Sequence, residues 1–325
     1  MPAVDAQWGF KTEVTVGTAL TVDKFGEYQS EDLEFDHRRI DSEPLRAGQA
    51  GMREDRWTPY FGAASGPVAF DVLTKNFAAF LVHMLGTVGT TGPVDSVYTH
   101  TGTIGNLFGD GFTSQFNRPF YQSGNQAFTL AGTKIKSWKL SNSLEGNLVA
   151  EFDIDAMSYS TATGLAAASY PTLMDNLTFA GAVVTVGGSQ FDATEFSVSL
   201  DNKLKSDDRR YFGNLRKEAV VAGRRIPEFA LKGDWDSMTQ FNRVASATRA
   251  GALAAIVATW TGPILAGVSA YPQVIVTIPS ARFDAVSFGN DGYEPLEQEL
   301  TGVGLDPVAG GGAISVVVKS TEATP

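Results

Sequence analysis

Segment after segment of this chain alternates apolar and polar residues with a period of two, a pattern that fits a half-buried β-strand and no other regular element. In residues 148–154, Leu148, Ala150, Phe152 and Ile154 point one way, while Val149, Glu151, Asp153 and, one step on, Asp155 point the other. Phe196, Val198 and Leu200 against Glu195, Ser197 and Ser199 repeat the scheme, as do Val274, Val276 and Ile278. Further strands are predicted at residues 30–36, 68–72, 135–140, 182–186, 229–235 and 314–318. The 34 glycines and 14 prolines, set against a charged fraction of 19%, suit many short strands joined by tight turns. The expected class is mainly β, an antiparallel sandwich or partial barrel.

One segment has a strong helical period instead. Leu73, Phe77, Phe80, Leu81, Met84 and Leu85 fall on one stripe, and Gly86 is placed to end it. A helix of that length spans about 20 Å and flanks one sheet. A second, shorter helix is predicted from Asp236 as its cap, with Met238, Phe241 and Val244 inward. Residues 131–155 and 181–200 both read as hairpins, but their side chains do not align, so no internal repeat is read from the sequence.

Two long polar connections interrupt the strand pattern. Residues 37–66 carry Arg38, Arg39, Arg46, Arg53 and Arg56 with Asp41, Glu43, Glu54 and Asp55. Residues 203–225 hold eight bases, among them Arg209, Arg210, Arg224 and Arg225, and three acids; this net +5 leaves −16 for the rest of a chain whose total is −11. Arginine suits bidentate carboxylate pairing, so these residues are expected at contacts between subunits. The chain is read as one domain over residues 1–325, with 37–66 as an inserted loop, 203–225 as a basic loop, and a Gly-rich segment, 306–325, that ends in a strand.

Chemistry finds few candidates. With no cysteine, neither disulfides nor thiolate metal sites are available. The acidic balance argues against tight nucleic-acid binding, which needs a positive face. Residues 1–10 lack a basic start followed by an apolar run, so no secretory signal is expected. Residues 250–281 contain no charge and are weighed as a membrane span, but Thr261-Gly262-Pro263, Gly267 and Pro272 interrupt them; two buried strands, 252–260 and 273–278, joined by a Gly/Pro loop are the better reading. None of His37, His83 and His100 has a partner at metal-ligand spacing, and His83, beside Leu81 and Met84, reads as structural. Asp153 with Asp155 and Asp234 with Asp236 are spaced to share a strand face, which keeps a β-sandwich carbohydrate enzyme open as an alternative. Alternating acids are equally the ordinary polar side of an amphipathic sheet. No phosphate loop and no GxSxG elbow is present, so no catalytic, metal or cofactor residue is assigned and no enzyme is expected.

The order of segments resembles a known family, the major tail tube proteins of long-tailed bacteriophages, the siphophages. Trp8-Gly9-Phe10-Lys11-Thr12-Glu13 with Val16-Gly17-Thr18 is similar to the family's opening, and residues 68–86 resemble its strand followed by a helix ending in Leu-Gly. Tyr98-Thr99-His100-Thr101, then Gly132-Thr133-Lys134-Ile135-Lys136-Ser137 with Leu140 and Gly146, follow in the family's order. Residues 196–202 with the basic residues after them, and Phe229 through Gly233-Asp234-Trp235, continue it. The resemblance implies a β-sandwich with a flanking helix whose inner barrel is completed on oligomerisation. It also implies a homo-hexameric ring, with rings stacked around a tape-measure protein and closed by tail terminator and distal tail or baseplate proteins. DNA would pass only as transient cargo, no membrane or cofactor is involved, and the location is the virion tail, assembled in the host cytoplasm. Exposed sheet edges invite pairing with further copies, and a negative wall repels passing phosphate, so Glu151, Asp153 and Asp155 are expected in the lumen or in a groove between subunits. A capsid decoration or tail terminator subunit, stopping at one ring, is the nearest alternative.

Overall fold

The computed structural model describes residues 5–43, 45–48, 50–120, 124–205, 211–213, 216–248, 253–265, 270–289 and 296–325. A first run of strands comprises β1 (Gln7–Thr12), β2 (Lys24–Gly26), β3 (Ser30–Glu31), β4 (Glu34–Asp41), β5 (Trp57–Asp71), β6 (Gly86–Val94), β7 (Val97–Ile104), β8 (Phe112–Pro119), β9 (Asn125–Ser143), β10 (Val149–Ala156) and β11 (Ser158–Ser160). A second comprises β12 (Ala182–Val186), β13 (Ser189–Phe191), β14 (Ala193–Asp201), β15 (Leu204–Lys205), β16 (Val220–Val221), β17 (Pro227–Asp234), β18 (Leu253–Thr261), β19 (Gln273–Gly289), β20 (Glu297–Gly304) and β21 (Ser315–Ser320). Helix α1 (Leu81–Leu85) lies in the first run and α2 (Thr239–Ala245) in the second. The charge-free stretch forms the strands β18 and β19 as expected. No helix among the described residues is long and apolar enough to cross a membrane.

The two runs share one topology. In the first, β4, β5, β10 and the C-terminal half of β9 pair in that order, every neighbour antiparallel; in the second, β14, β17, β20 and the C-terminal half of β19 do the same. The N-terminal half of β9 leaves this layer for a second sheet ordered β2-β1-β8-β9-β11. The N-terminal half of β19 likewise joins β13-β12-β18-β19-β21. Even the irregularities match. An extra residue, Lys136 in β9 and Asp284 in β19, sits where each long strand bends against β10 or β20, and bulges of this kind bend a strand from one sheet into the next. One shift of 148 positions carries Ser137 and its partner Asp153 onto Ala285 and its partner Thr301. The chain is therefore internally duplicated, which corrects the reading of no repeat. Only pattern is retained: the same shift takes Trp138 to Val286 and Phe152 to Leu300.

The halves are fused edge to edge. β9 pairs antiparallel with β14, from Glu195 opposite Ser143 to Asp201 opposite Ser137, so the main layer runs without interruption as β4-β5-β10-β9-β14-β17-β20-β19. The β6–β7 hairpin has no counterpart among the described residues of the second half, and it extends that half's outer sheet through β21. The C-terminal segment thus supplies an interior strand.

The inner face of the main layer and the two outer sheets bury one continuous core. In the first half its hub is Phe80, whose ring meets those of Trp8, Phe10, Phe70, Phe112 and Phe152. In the second half Phe196 meets Trp260 edge-on and Phe229 meets Phe283. Trp260 Nε1 also donates to Asn142 Oδ1 at 3.0 Å, tying the second half's outer sheet to the first half's long strand.

The helices are shorter than their sequence patterns suggest. Asn76 adopts a left-handed conformation, so winding starts only at Phe77, as a 3-10 turn over Phe77–Phe80 that passes into α1. Nearly every residue of this segment is buried, and Trp138 Nε1 donates to Met84 O at 3.1 Å. Gly86 ends the helix at φ 101°, a conformation available to glycine and costly to other residues. In α2, Asp236 does not cap: winding begins at Thr239, whose N–H faces Ser237 Oγ at 3.4 Å, and Met238 is exposed. Residues 37–66 are not an irregular loop. They are the outer part of the hairpin β4–β5, paired as far as Asp41 opposite Trp57, and the basic connection carries its own short ladder, β15–β16.

Candidate functional site

The outward face of the main layer is a surface eight strands wide. Register fixes its rows. One row runs Val149, Ser141, Ser197, Ala230, Thr301, Ala285, so that from β9 to β19 every side chain is small. The row on one side reads Ser143, Glu195, Lys232, Glu299, Ser287, and the row on the other Ala69, Glu151, Lys139, Ser199, Glu228, Val303. Glu151, Glu195, Asp201, Glu228 and Glu299 are exposed, whereas Lys232 is drawn to Glu297 at 2.8 Å and Lys136 to Asp153 at 3.0 Å. The result is a broad sheet surface of short side chains with an acidic excess. A shallow depression of about 510 Å³ lies between Lys139, Glu195, Lys232 and Glu299.

The expected acids divide. Glu151 and Asp153 stand on this face. Asp155 does not: just after the register shift at Asp153/Ile154 it is buried, and Arg216 donates to its Oδ2 and to Ala156 O. Beside it Lys134, opposite Asp155 in register, is buried against Glu218 at 2.6 Å and donates to Leu107 O. Two ion pairs in the low-dielectric interior thus anchor the basic connection to the first half. Asp153 and Asp155 therefore do not converge on a shared ligand. Among the described residues no group of three His, Asp or Glu side chains is placed to hold a metal ion.

The expected arginines divide as well. Arg225 is only partly at the surface. It is half-buried and donates to the C-terminal carbonyl of α1, Leu85 O, at 3.1 Å, to Asn202 Oδ1 at 3.2 Å and to Gly105 O. A cation at a helix C-terminus is stabilised by the unpaired carbonyls there, although burial pulls this guanidinium below its usual pKa. Arg224 is exposed. Arg209 and Arg210 lie outside the described residues. On the β4–β5 hairpin Arg38 pairs with Asp36 at 2.6 Å, Arg53 binds Asp55 through two nitrogens at 2.8 and 2.7 Å, and Arg39 stacks over Trp57. Asp55 is held below its ordinary pKa by the Arg53 guanidinium. Arg56 reaches the same Asp55 at 3.8 Å. Asp41, Glu43, Arg46 and Glu54 are exposed on or beside the hairpin tip.

Sequence reasoning missed the apolar side chains of that hairpin: Ile40, Leu45, Met52 and Trp57 stand in solvent, Leu45 fully so. Lone hydrophobes among charges give no period to read. The layer ends in two open edges. Among the described residues β4 bonds only to β5, and the Ala285–Gly289 stretch of β19 only to β20.

His83 is buried beside Phe112, with Thr12 Oγ1 3.1 Å from its Nε2. Burial lowers its pKa to about 4, so it is neutral and structural.

An open acidic β-layer and a protruding hairpin are the features that stand out among the described residues. A family model described as phage tail tube protein matches residues 3–304, nearly the whole chain. The chain belongs to the phage tail tube protein family. No curated protein matches it. A tail tube protein is a structural component of the virion tail, and the antiparallel sandwich with its flanking helix is the fold that carries that role here.

Proposed function

We propose that this tail tube protein assembles with itself into rings that stack into the tube of a siphophage-type tail, with the outward face of the main layer lining the bore. The observation that carries this reading is the eight-stranded layer. Among the described residues it is covered on one face by the core, bare on the other, and unpaired at both edges. Such a sheet is incomplete alone, and joining edges around a ring removes the liability of unpaired strands.

Short side chains give a smooth wall, and the excess of carboxylates repels duplex phosphate within the screening length of about 8 Å at physiological salt. Double-stranded DNA would pass without adhering, after a tape-measure protein has left the same channel. The β4–β5 hairpin, with Leu45 and Met52 at its end, reaches the neighbouring subunit or ring. Tail terminator and distal tail proteins close the two ends, and assembly takes place in the host cytoplasm. Negative-stain microscopy of the purified protein tests the reading. Long hollow filaments support it, and a protein that stays monomeric or stops at single rings under all conditions refutes it.

A further inference from the structure

We infer that three copies of this chain close each ring, and that the seam between copies repeats the β9–β14 seam inside one copy. The inference rests on the ring reading above and replaces the expectation of six copies.

Each chain already holds two tube folds, built from corresponding strands with corresponding pairings and bends. Inside the chain, the last strand of the first fold (β9) meets the first strand of the second (β14) edge to edge. The corresponding edges, unpaired among the described residues, are the last strand of the second fold, the Ala285–Gly289 stretch of β19, and the first strand of the first fold, β4. The molecule therefore carries both halves of a seam whose finished form is visible in its own middle.

Correspondence also fixes the register. The 148-position shift carries Ser137 and Lys139 of the inner seam onto Ala285 and Ser287. Asp201 and Ser199 stand opposite them in β14. Their counterparts in β4 are Asp36 and Glu34: Ser199 pairs with Glu228, which pairs with Val303, just as Glu34 pairs with Ser65, which pairs with Asp155, and the same shift takes Asp155 to Val303. In the ring, Ala285 of one copy faces Asp36 of the next, and Ser287 faces Glu34.

The count also fixes the size of the closed layer. Eight strands from each of three chains give a closed layer of 24, which at a spacing of about 4.8 Å and a tilt of about 40° is about 48 Å across between backbones. Six chains would give 48 strands and about 95 Å by the same geometry.

The chain has no cysteine, so introduced thiols report only the seam. Glu34 and Ser287 are both exposed, and residues opposed across an antiparallel pair are close enough for a disulfide. Tubes of the Glu34→Cys/Ser287→Cys variant, oxidised with diamide and run on a denaturing, non-reducing gel, should give a ladder of one, two and three chains that stops at three, and neither single variant should pass a dimer. A ladder that continues to six overturns the count. Long tubes with no cross-link overturn the seam while leaving the tube reading intact, whereas wild-type protein that forms no rings defeats the tube reading itself. Should the double variant fail to assemble, the cross-section of wild-type tubes decides: three chains per ring support the inference, and six refute it.

Discussion

Arg216, in the basic connection, donates to Asp155 of β10 in the interior of the protein, their side chains only 5% and 10% exposed. This pair converts what looks like a solvent loop into part of the first fold's core, and it withdraws Asp155 from the acidic face.

Removing one partner of a buried ion pair strands the other charge. Arg216→Met should therefore cost about 3–5 kcal/mol of unfolding free energy, measured on the monomer by denaturant titration. The double variant Arg216→Met/Asp155→Leu should recover most of that loss, because a well-packed apolar pair replaces two desolvated charges. If the double variant is no better than the single one, the pair is not the source of the loss.

His83 makes stability depend on pH. Its pKa is about 4 in the fold against about 6.5 in an unfolded chain, so between these values the unfolded state binds more protons. Stability should be fully present above pH 6.5 and fall by about 3 kcal/mol as pH drops to 4. In His83→Met, which keeps the apolar contact with Phe112 but does not titrate, the slope over this window should flatten by about 1.4 kcal/mol per pH unit. Equal slopes in the two proteins would contradict the assignment.

Glu13 is a buried carboxylate that accepts from Thr113 Oγ1 at 2.8 Å, from Gly132 N at 2.9 Å and from Gly17 N at 2.6 Å. Glu13→Ala leaves those donors without a partner and should destabilise the protein by about 2–4 kcal/mol. Hydrogen exchange should show the loss concentrated at Gly17 and Gly132. Uniform loss of protection would argue for a global effect instead.

The acidic face and the hairpin tip should separate cleanly in assembly experiments. Glu151→Lys/Glu195→Lys/Glu299→Lys should form tubes of normal appearance that deliver DNA more slowly, measured as ejection kinetics from assembled virions, with the deficit shrinking at high salt. Normal kinetics would remove the face from the bore.

Leu45→Asp/Met52→Asp changes only exposed side chains. It should leave the monomer's unfolding midpoint unchanged and abolish filaments in sedimentation. Filaments of normal length would exclude the tip from the subunit contacts.

The strands were legible in the sequence because alternation is a local signal: Leu148, Ala150, Phe152 and Ile154 point inward in β10, as the pattern says. The duplication was not legible, because the two folds keep the alternation and exchange the residues that satisfy it, Trp138 for Val286 and Phe152 for Leu300. Packing accepts many apolar side chains at one position, so sequence identity decays while pairing is retained. Glu151 and Glu299 occupy corresponding places in the two folds, yet two glutamates 148 positions apart carry no signal alone. The burial of Asp155 and Arg225 depends on long-range contacts, with Arg216 and with the end of α1, that no local period encodes.

The covalent link between β9 and β14 makes one kind of seam indifferent to dilution. In the proposed ring, folds of separate chains would find each other only at a protein concentration that favours association, whereas the two folds of one chain are joined during synthesis and their register is set when that chain folds. In a ring of such chains half of the seams would need no encounter between molecules. The two folds, no longer required to be identical, were free to diverge, and among the described residues only the first carries a hairpin such as β6–β7.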